Sequence, residues 1–243
     1  MLGLSVLASF IACGDGKRDI RRFYFPAEEL RKGLVYVYQS EEGDTTEQRY
    51  WYYRAFRRDS GLFLTGTQYD RSFQVVQFLR EKIVDNGSLA RTSMLYETDT
   101  ASGHANPIQA LIESPNLFPF RVTDSLGVFL FRLKYHPLSD NAATIFLIRN
   151  RRYLGDGPAF VFKGKNYPTV RFGLHEAIGH SKEGTAEVEG RGEEWYAEGL
   201  GLVYYRKAFG DGHIRYAYRL KETIPMAELE QRAGAHFQKD GQE

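Results

Sequence analysis

His213-Ile214-Arg215-Tyr216-Ala217-Tyr218-Arg219-Leu220-Lys221 alternates with a period of two. Ile214, Tyr216, Tyr218 and Leu220 fall on one side of an extended chain. His213, Arg215, Ala217, Arg219 and Lys221 fall on the other. One face of such a strand meets a core and the other meets water.

Reading outward, Leu202-Val203-Tyr204-Tyr205 faces this strand across Gly210-Asp211-Gly212. Upstream the same rhythm recurs. Strands are predicted at 34–38, 49–56, 62–67, 73–84 and 89–96, then at 128–133, 144–148, 153–162 and 169–178. Turn residues punctuate them: Glu41-Glu42-Gly43-Asp44, Asp59-Ser60-Gly61, Gly155-Asp156-Gly157 and Gly164-Lys165-Asn166. Asp85-Asn86-Gly87 is a strong hairpin signal. Residues 99–127 hold Gly103, Pro107, Pro115, Pro119 and Gly127, and read as a broken strand at 108–112 followed by a long loop. Pro225 opens a helix over 226–237, with Met226, Leu229 and Ala233 at helical spacing. The fold class is therefore mainly β: an antiparallel barrel or sandwich of about a dozen strands with a short C-terminal helix.

Composition agrees. The chain has 243 residues, 42% of them hydrophobic and 14% aromatic, with 16 Tyr and 17 Phe. Aromatic residues fit half-buried pleated surfaces, and most are assigned to the core. The 32 basic and 31 acidic residues leave a net charge of +1. That balance provides no long-range field for nucleic acid or for an anionic membrane.

The N-terminus reads differently. Met1 to Ala12 is uncharged, and is too short for the ~20 residues of a spanning helix. It has the length of a signal-peptide apolar core. Phe10-Ile11-Ala12-Cys13-Gly14 resembles a lipobox, although Phe10 stands where Leu is usual and no Lys or Arg precedes the apolar run. Cys13 is the one cysteine. The expected organisation is a signal peptide over 1–12, a lipidated tether over 13–22 and a single antiparallel β domain over 23–243. Acyl chains on Cys13 would then hold the protein to a membrane of the cell envelope, the outer membrane being the expected one.

Chemistry is sparse. His175-Glu176-Ala177-Ile178-Gly179-His180 followed by Glu193-Glu194-Trp195-Tyr196-Ala197-Glu198 resembles the two motifs of the dipeptidyl peptidase III metallopeptidases. The resemblance implies zinc held by His175, His180 and Glu194, with Glu176 as the base that activates water. It covers about two dozen residues of the chain. The flanking segments read as strand, and on a strand His175 and His180 point to opposite faces. The reading of the residues themselves assigns no catalytic residue, metal or cofactor. The basic residues Arg149, Arg151 and Arg152, and the pair Arg57-Arg58, read as solvated strand ends.

Trp195-Tyr196-Ala197-Glu198-Gly199-Leu200-Gly201-Leu202-Val203 carries a second resemblance. It is similar to the closing segment of the DUF3108 (domain of unknown function 3108) group of exported bacterial proteins. Phe25-Pro26-Ala27-Glu28-Glu29 before the strand at 34–38, and Gly164 to Arg171, match the same group. This resemblance spans roughly residues 23 to 220. It implies a β-rich, exported and often lipidated protein, and no catalytic residue carries over. The expected function is a non-enzymatic envelope lipoprotein that binds or assembles an envelope protein, a glycan or an apolar lipid-like ligand. A zinc peptidase is the alternative, and a mainly structural role a third reading.

Overall fold

Twelve antiparallel strands close into one barrel, in the order β10-β11-β12-β13-β14-β2-β3-β4-β5-β6-β7-β9. They are β2 (Leu34–Ser40), β3 (Gln48–Arg58), β4 (Gly61–Tyr69), β5 (Val75–Val84), β6 (Gly87–Thr98), β7 (Ala105–Pro119), β9 (Val128–Tyr135), β10 (Thr144–Phe162), β11 (Lys165–Ser181), β12 (Thr185–Ala197), β13 (Gly201–Phe209) and β14 (Ile214–Ile224). Two short strands, β1 (Arg18–Asp19) and β8 (Arg121–Val122), pair beside the barrel. The computed structural model describes residues 16–99, 103–123, 127–182 and 184–240. Each barrel strand pairs with the next in the chain, and β14 closes on β2 through Tyr218↔Ser40 to Ile224↔Val35. An even number of strands lets an up-and-down barrel close with every pair antiparallel.

The strand at 214–224 follows its alternation over Tyr216, Tyr218 and Leu220, while Ile214 is exposed at the barrel's end and Ala217 on the other face is buried as well. Tyr218 and Leu220 are buried in the barrel's core cluster. Both faces of β2 are buried, which accounts for its unbroken apolar run. Tyr36 and Tyr38 point inward. Val35 and Val37 point outward, under α1 (Met226–Asp240), where they meet Leu229, Ile224 and Tyr50. Arg232 ties the helix to β14 by binding Glu222 at 2.8 Å, and also binds Glu228 one turn back on the helix at 2.6 Å.

Four expectations need correcting. No long loop follows residue 112. β7 runs on to Pro119 and pairs through Pro107, Pro115 and Pro119. Register shifts at Ser88/Leu89, Leu89/Ser93 and Ile112/Ser114 absorb residues that cannot donate to a regular ladder. Residues 144–148 and 153–162 are one strand, because Gly155-Asp156-Gly157 pairs with Arg171, Val170 and Thr169 of β11, between a bulge on either side, instead of forming a turn. Residues 18–22, expected as part of a tether, pack on the barrel instead. Ile20 and Phe23 are fully buried, and the chain is docked on the barrel from Arg18 onward. Arg149 and Arg151 are not solvated ends, as described below. The expected signal segment and Cys13 lie outside the described residues.

One end of the barrel is plugged. The Ile20 N–H donates to the Phe120 carbonyl at 2.8 Å, the Phe120 N–H to Asn86 at 2.9 Å, and the Gly199 N–H to Arg22 at 3.0 Å. These bonds hold Phe23, Tyr24 and Phe25 across that end. Phe25 packs on Tyr53 with ring centroids 4.3 Å apart, and Phe118 on Tyr196 at 4.7 Å.

Candidate functional site

Strand number sets the size of the lumen. Roughly eight strands enclose a space that side chains can just fill. Twelve enclose more. The aromatic plug fills one end, and a cavity of about 400 Å³ remains above it. That is within the roughly 300–1,000 Å³ range of small-molecule sites.

The walls differ with position. Leu79, Leu95, Leu133, Ile145, Leu147 and Ile178 supply aliphatic surface. Ile178 is 41% exposed although it lines the cavity, so the cavity opens to solvent beside it. Register places Val188 opposite Ile178, and Ile214 opposite the cavity residue Phe209. Both are exposed, at 46% and 60%, so the lip of the barrel is apolar here. On the opposite side Arg49 lies over the rings of Tyr218 and Tyr216, at 4.2 and 5.3 Å.

Three charged groupings sit inside. Arg151 holds Glu194 at two points: Nε donates to Oε2 at 2.8 Å and Nη2 to Oε1 at 3.2 Å. The Tyr196 hydroxyl donates to the same carboxylate at 3.0 Å. Burial alone would raise the Glu194 carboxyl. The neighbouring guanidinium outweighs it and holds the group below its ordinary value. Nη1 of Arg151 is buried and has no hydrogen-bond partner among the described residues. Such an orphan donor costs about 1–3 kcal/mol.

Glu176 lies between Arg149 and Lys207, with Lys207 Nζ 2.9 Å from Oε2. Burial pushes its carboxyl up, but the two cations outweigh that and bring it down to about 2. Burial, then Arg149, push the Lys207 ammonium down to about 8 against the pull of Glu176. Lys207 reaches Glu176 across β12, where Gly190 and Gly192 stand on the inward face. A Cβ on Gly192 would lie 2.4 Å from the Arg206 carbonyl oxygen and 3.1 Å from Lys207 Cγ. The third grouping is Glu81, which accepts from Tyr24 at 2.6 Å and from Ser88. Burial wins there, and its carboxyl is raised.

The residues of the zinc reading are not brought together. His175 lies on the outer face, with Nε2 3.3 Å from Glu189 Oε2. Five steps along a strand turn His180 to the other face, at the exposed end of β11. Glu176 and Glu194 are inside but are held by cations. A carboxylate near 2 is also a weak base at neutral pH. Among the described residues no three His, Cys, Asp or Glu side chains are grouped to hold a metal.

The sequence reading missed Arg149, Arg151 and Lys207. A signal was present. Ile145, Leu147, Arg149, Arg151 and Tyr153 share one parity, so two arginines stand on a face whose other members are apolar.

The outward face of β12 carries Glu187, Glu189, Arg191 and Glu193. A barrel that spans a bilayer presents an apolar band there instead.

No protein-family model matches the chain. No curated protein matches it either. The barrel is similar to that of a Bacteroides fragilis protein described as exported and as having a YmcC-like fold. The two share 13% identity at a TM-score of 0.51, over 83% of this chain and 99% of that one. A Parabacteroides distasonis protein described as a lipoprotein also shares 13% identity, at a TM-score of 0.49, over 83% and 98% of the two chains. At such identity the likeness concerns the fold.

Proposed function

We propose that this protein is an exported envelope lipoprotein that is not an enzyme, and that it binds an apolar or amphipathic envelope component inside its barrel. The observation that carries this reading is the cavity, open at one end and about 400 Å³ in volume. Its aliphatic wall leads from an apolar lip to a few buried polar groups, the usual composition of a small-molecule site. The plug at the far end makes the lumen a blind pocket and not a channel. Export is supported by the apolar run before Cys13 and by the description of the Bacteroides fragilis protein of similar fold. Diacylglycerol on Cys13 would keep the barrel at a membrane surface, close to such ligands.

The test is a titration with an environment-sensitive apolar dye. The wild-type protein should bind one dye per barrel. A Leu147→Trp variant, which fills the aliphatic side of the lumen, should bind it at least about tenfold more weakly. Equal binding by both proteins would move the site elsewhere.

A further inference from the structure

The lumen holds a specific asymmetry. Four cationic side chains, Arg49, Arg149, Arg151 and Lys207, line it against three carboxylates, Glu81, Glu176 and Glu194. Each carboxylate except Glu81 is matched by a cation, and Glu81 accepts hydrogen bonds from Tyr24 and Ser88. Among the described residues three buried side-chain atoms lack a hydrogen-bond partner, Arg80 Nε, Ser93 Oγ and Arg151 Nη1, and of these residues only Arg151 lines the cavity. Nη1 of Arg151 belongs to a residue only 4% exposed, on the cavity wall, and has no partner among the described residues. The same guanidinium is fixed in orientation by its two bonds to Glu194. A planar, pre-oriented guanidinium with a free edge recognises an anionic oxygen. Toward the lip the inward face of β10 passes Arg149 and then Leu147 and Ile145, which with Leu79, Leu95, Leu133 and the exposed Ile178 form an aliphatic wall beside the Glu176–Lys207 pair.

Resting on the function proposed above, we infer that the ligand is a single-chain amphipathic acid. Its carboxylate or phosphate oxygen accepts from Nη1 of Arg151, and its hydrocarbon chain runs along the aliphatic wall toward the lip. The head supplies the acceptor that the barrel lacks, and the chain covers the apolar surface at Leu133, Leu147 and Ile178.

The experiment uses the full chain, stripped of bound lipid. It is titrated with hexadecanoic acid, hexadecyl phosphate, hexadecanol and inorganic phosphate. Both acids should bind at least about tenfold tighter than the alcohol of equal chain length. Inorganic phosphate alone should bind far more weakly than hexadecyl phosphate. Whichever acid binds tighter identifies the head as carboxylate or phosphate. Removing Arg151 alone would leave Glu194 buried and uncompensated, so the informative variant is the pair Arg151→Leu with Glu194→Leu. Circular dichroism confirms that it is folded, and its preference for acid over alcohol should fall to about one. Equal binding of acid and alcohol by wild type, or an unchanged preference in the pair variant, would overturn the assignment of the head and leave the lumen as the site. Inorganic phosphate binding as tightly as hexadecyl phosphate would overturn the assignment of the chain. Failure of all four to bind would overturn the reading of the lumen as well.

Discussion

Arg151 on β10 and Glu194 on β12 are joined at two points across the intervening β11, and each side chain is only 5% exposed. Breaking a buried ion pair from one side strands the other charge, at about 3–5 kcal/mol, whereas replacing both members with apolar residues is often neutral. Arg151→Leu and Glu194→Leu should therefore each be strongly destabilising, and the two together should recover most of the loss. Urea denaturation of the single variants and the pair measures this directly. A pair variant as unstable as the worse single variant would mean that the ion pair is not what couples these strands.

Glu176 gives a pH dependence with a definite sign. Its carboxyl lies at about 2 in the folded protein, against an ordinary 4.5. A depressed acid contributes stability that is complete above about 4.5 and is lost as pH falls through 2. The size is roughly 3 kcal/mol. Glu176→Gln should be destabilised at neutral pH. The gap to wild type should narrow between pH 4.5 and 2 and close below that. A constant gap over this range would show that the carboxylate's charge is not the stabilising element.

Gly192 is predicted to be intolerant for a reason confined to one atom. Its Cβ would sit 2.4 Å from a backbone carbonyl oxygen that cannot swing away. Gly192→Ala should cost about 1–3 kcal/mol and should disturb Lys207, which crosses the strand at that point. Thermal unfolding reads the first effect, and dye affinity for the lumen reads the second.

These residues also show what the sequence could and could not reveal. The alternation from His213 to Lys221, and the hairpin at Asp85-Asn86-Gly87, are local effects of chain geometry, so they were legible. β7 was not, because proline is read as a breaker unless bulges in a partner strand accommodate it. The lumen was half legible. Glu176 and Glu194 were singled out, but for a zinc site. Of their actual partners, Arg149 is the cross-strand neighbour of Glu176, Arg151 reaches Glu194 across β11, and Lys207 reaches Glu176 across β12 where Gly190 and Gly192 leave the inward face bare. Two arginines two residues apart look like a solvated edge until closure of the barrel decides which parity is inside.

The anchor can be tested apart from the lumen. Cys13→Ser should shift the protein from the membrane fraction to the soluble envelope fraction, with the circular dichroism and unfolding temperature of the barrel unchanged. Retention in the membrane fraction would contradict lipid attachment at this residue.

The most direct measurement for the central claim is native mass spectrometry of the full chain, released from its own host's membranes in mild detergent. The account predicts one amphipathic adduct per barrel, beyond the mass of the lipidated polypeptide, and its loss from Leu147→Trp. A folded wild-type barrel that carries no adduct, and takes up none from a total lipid extract of the host, would contradict it.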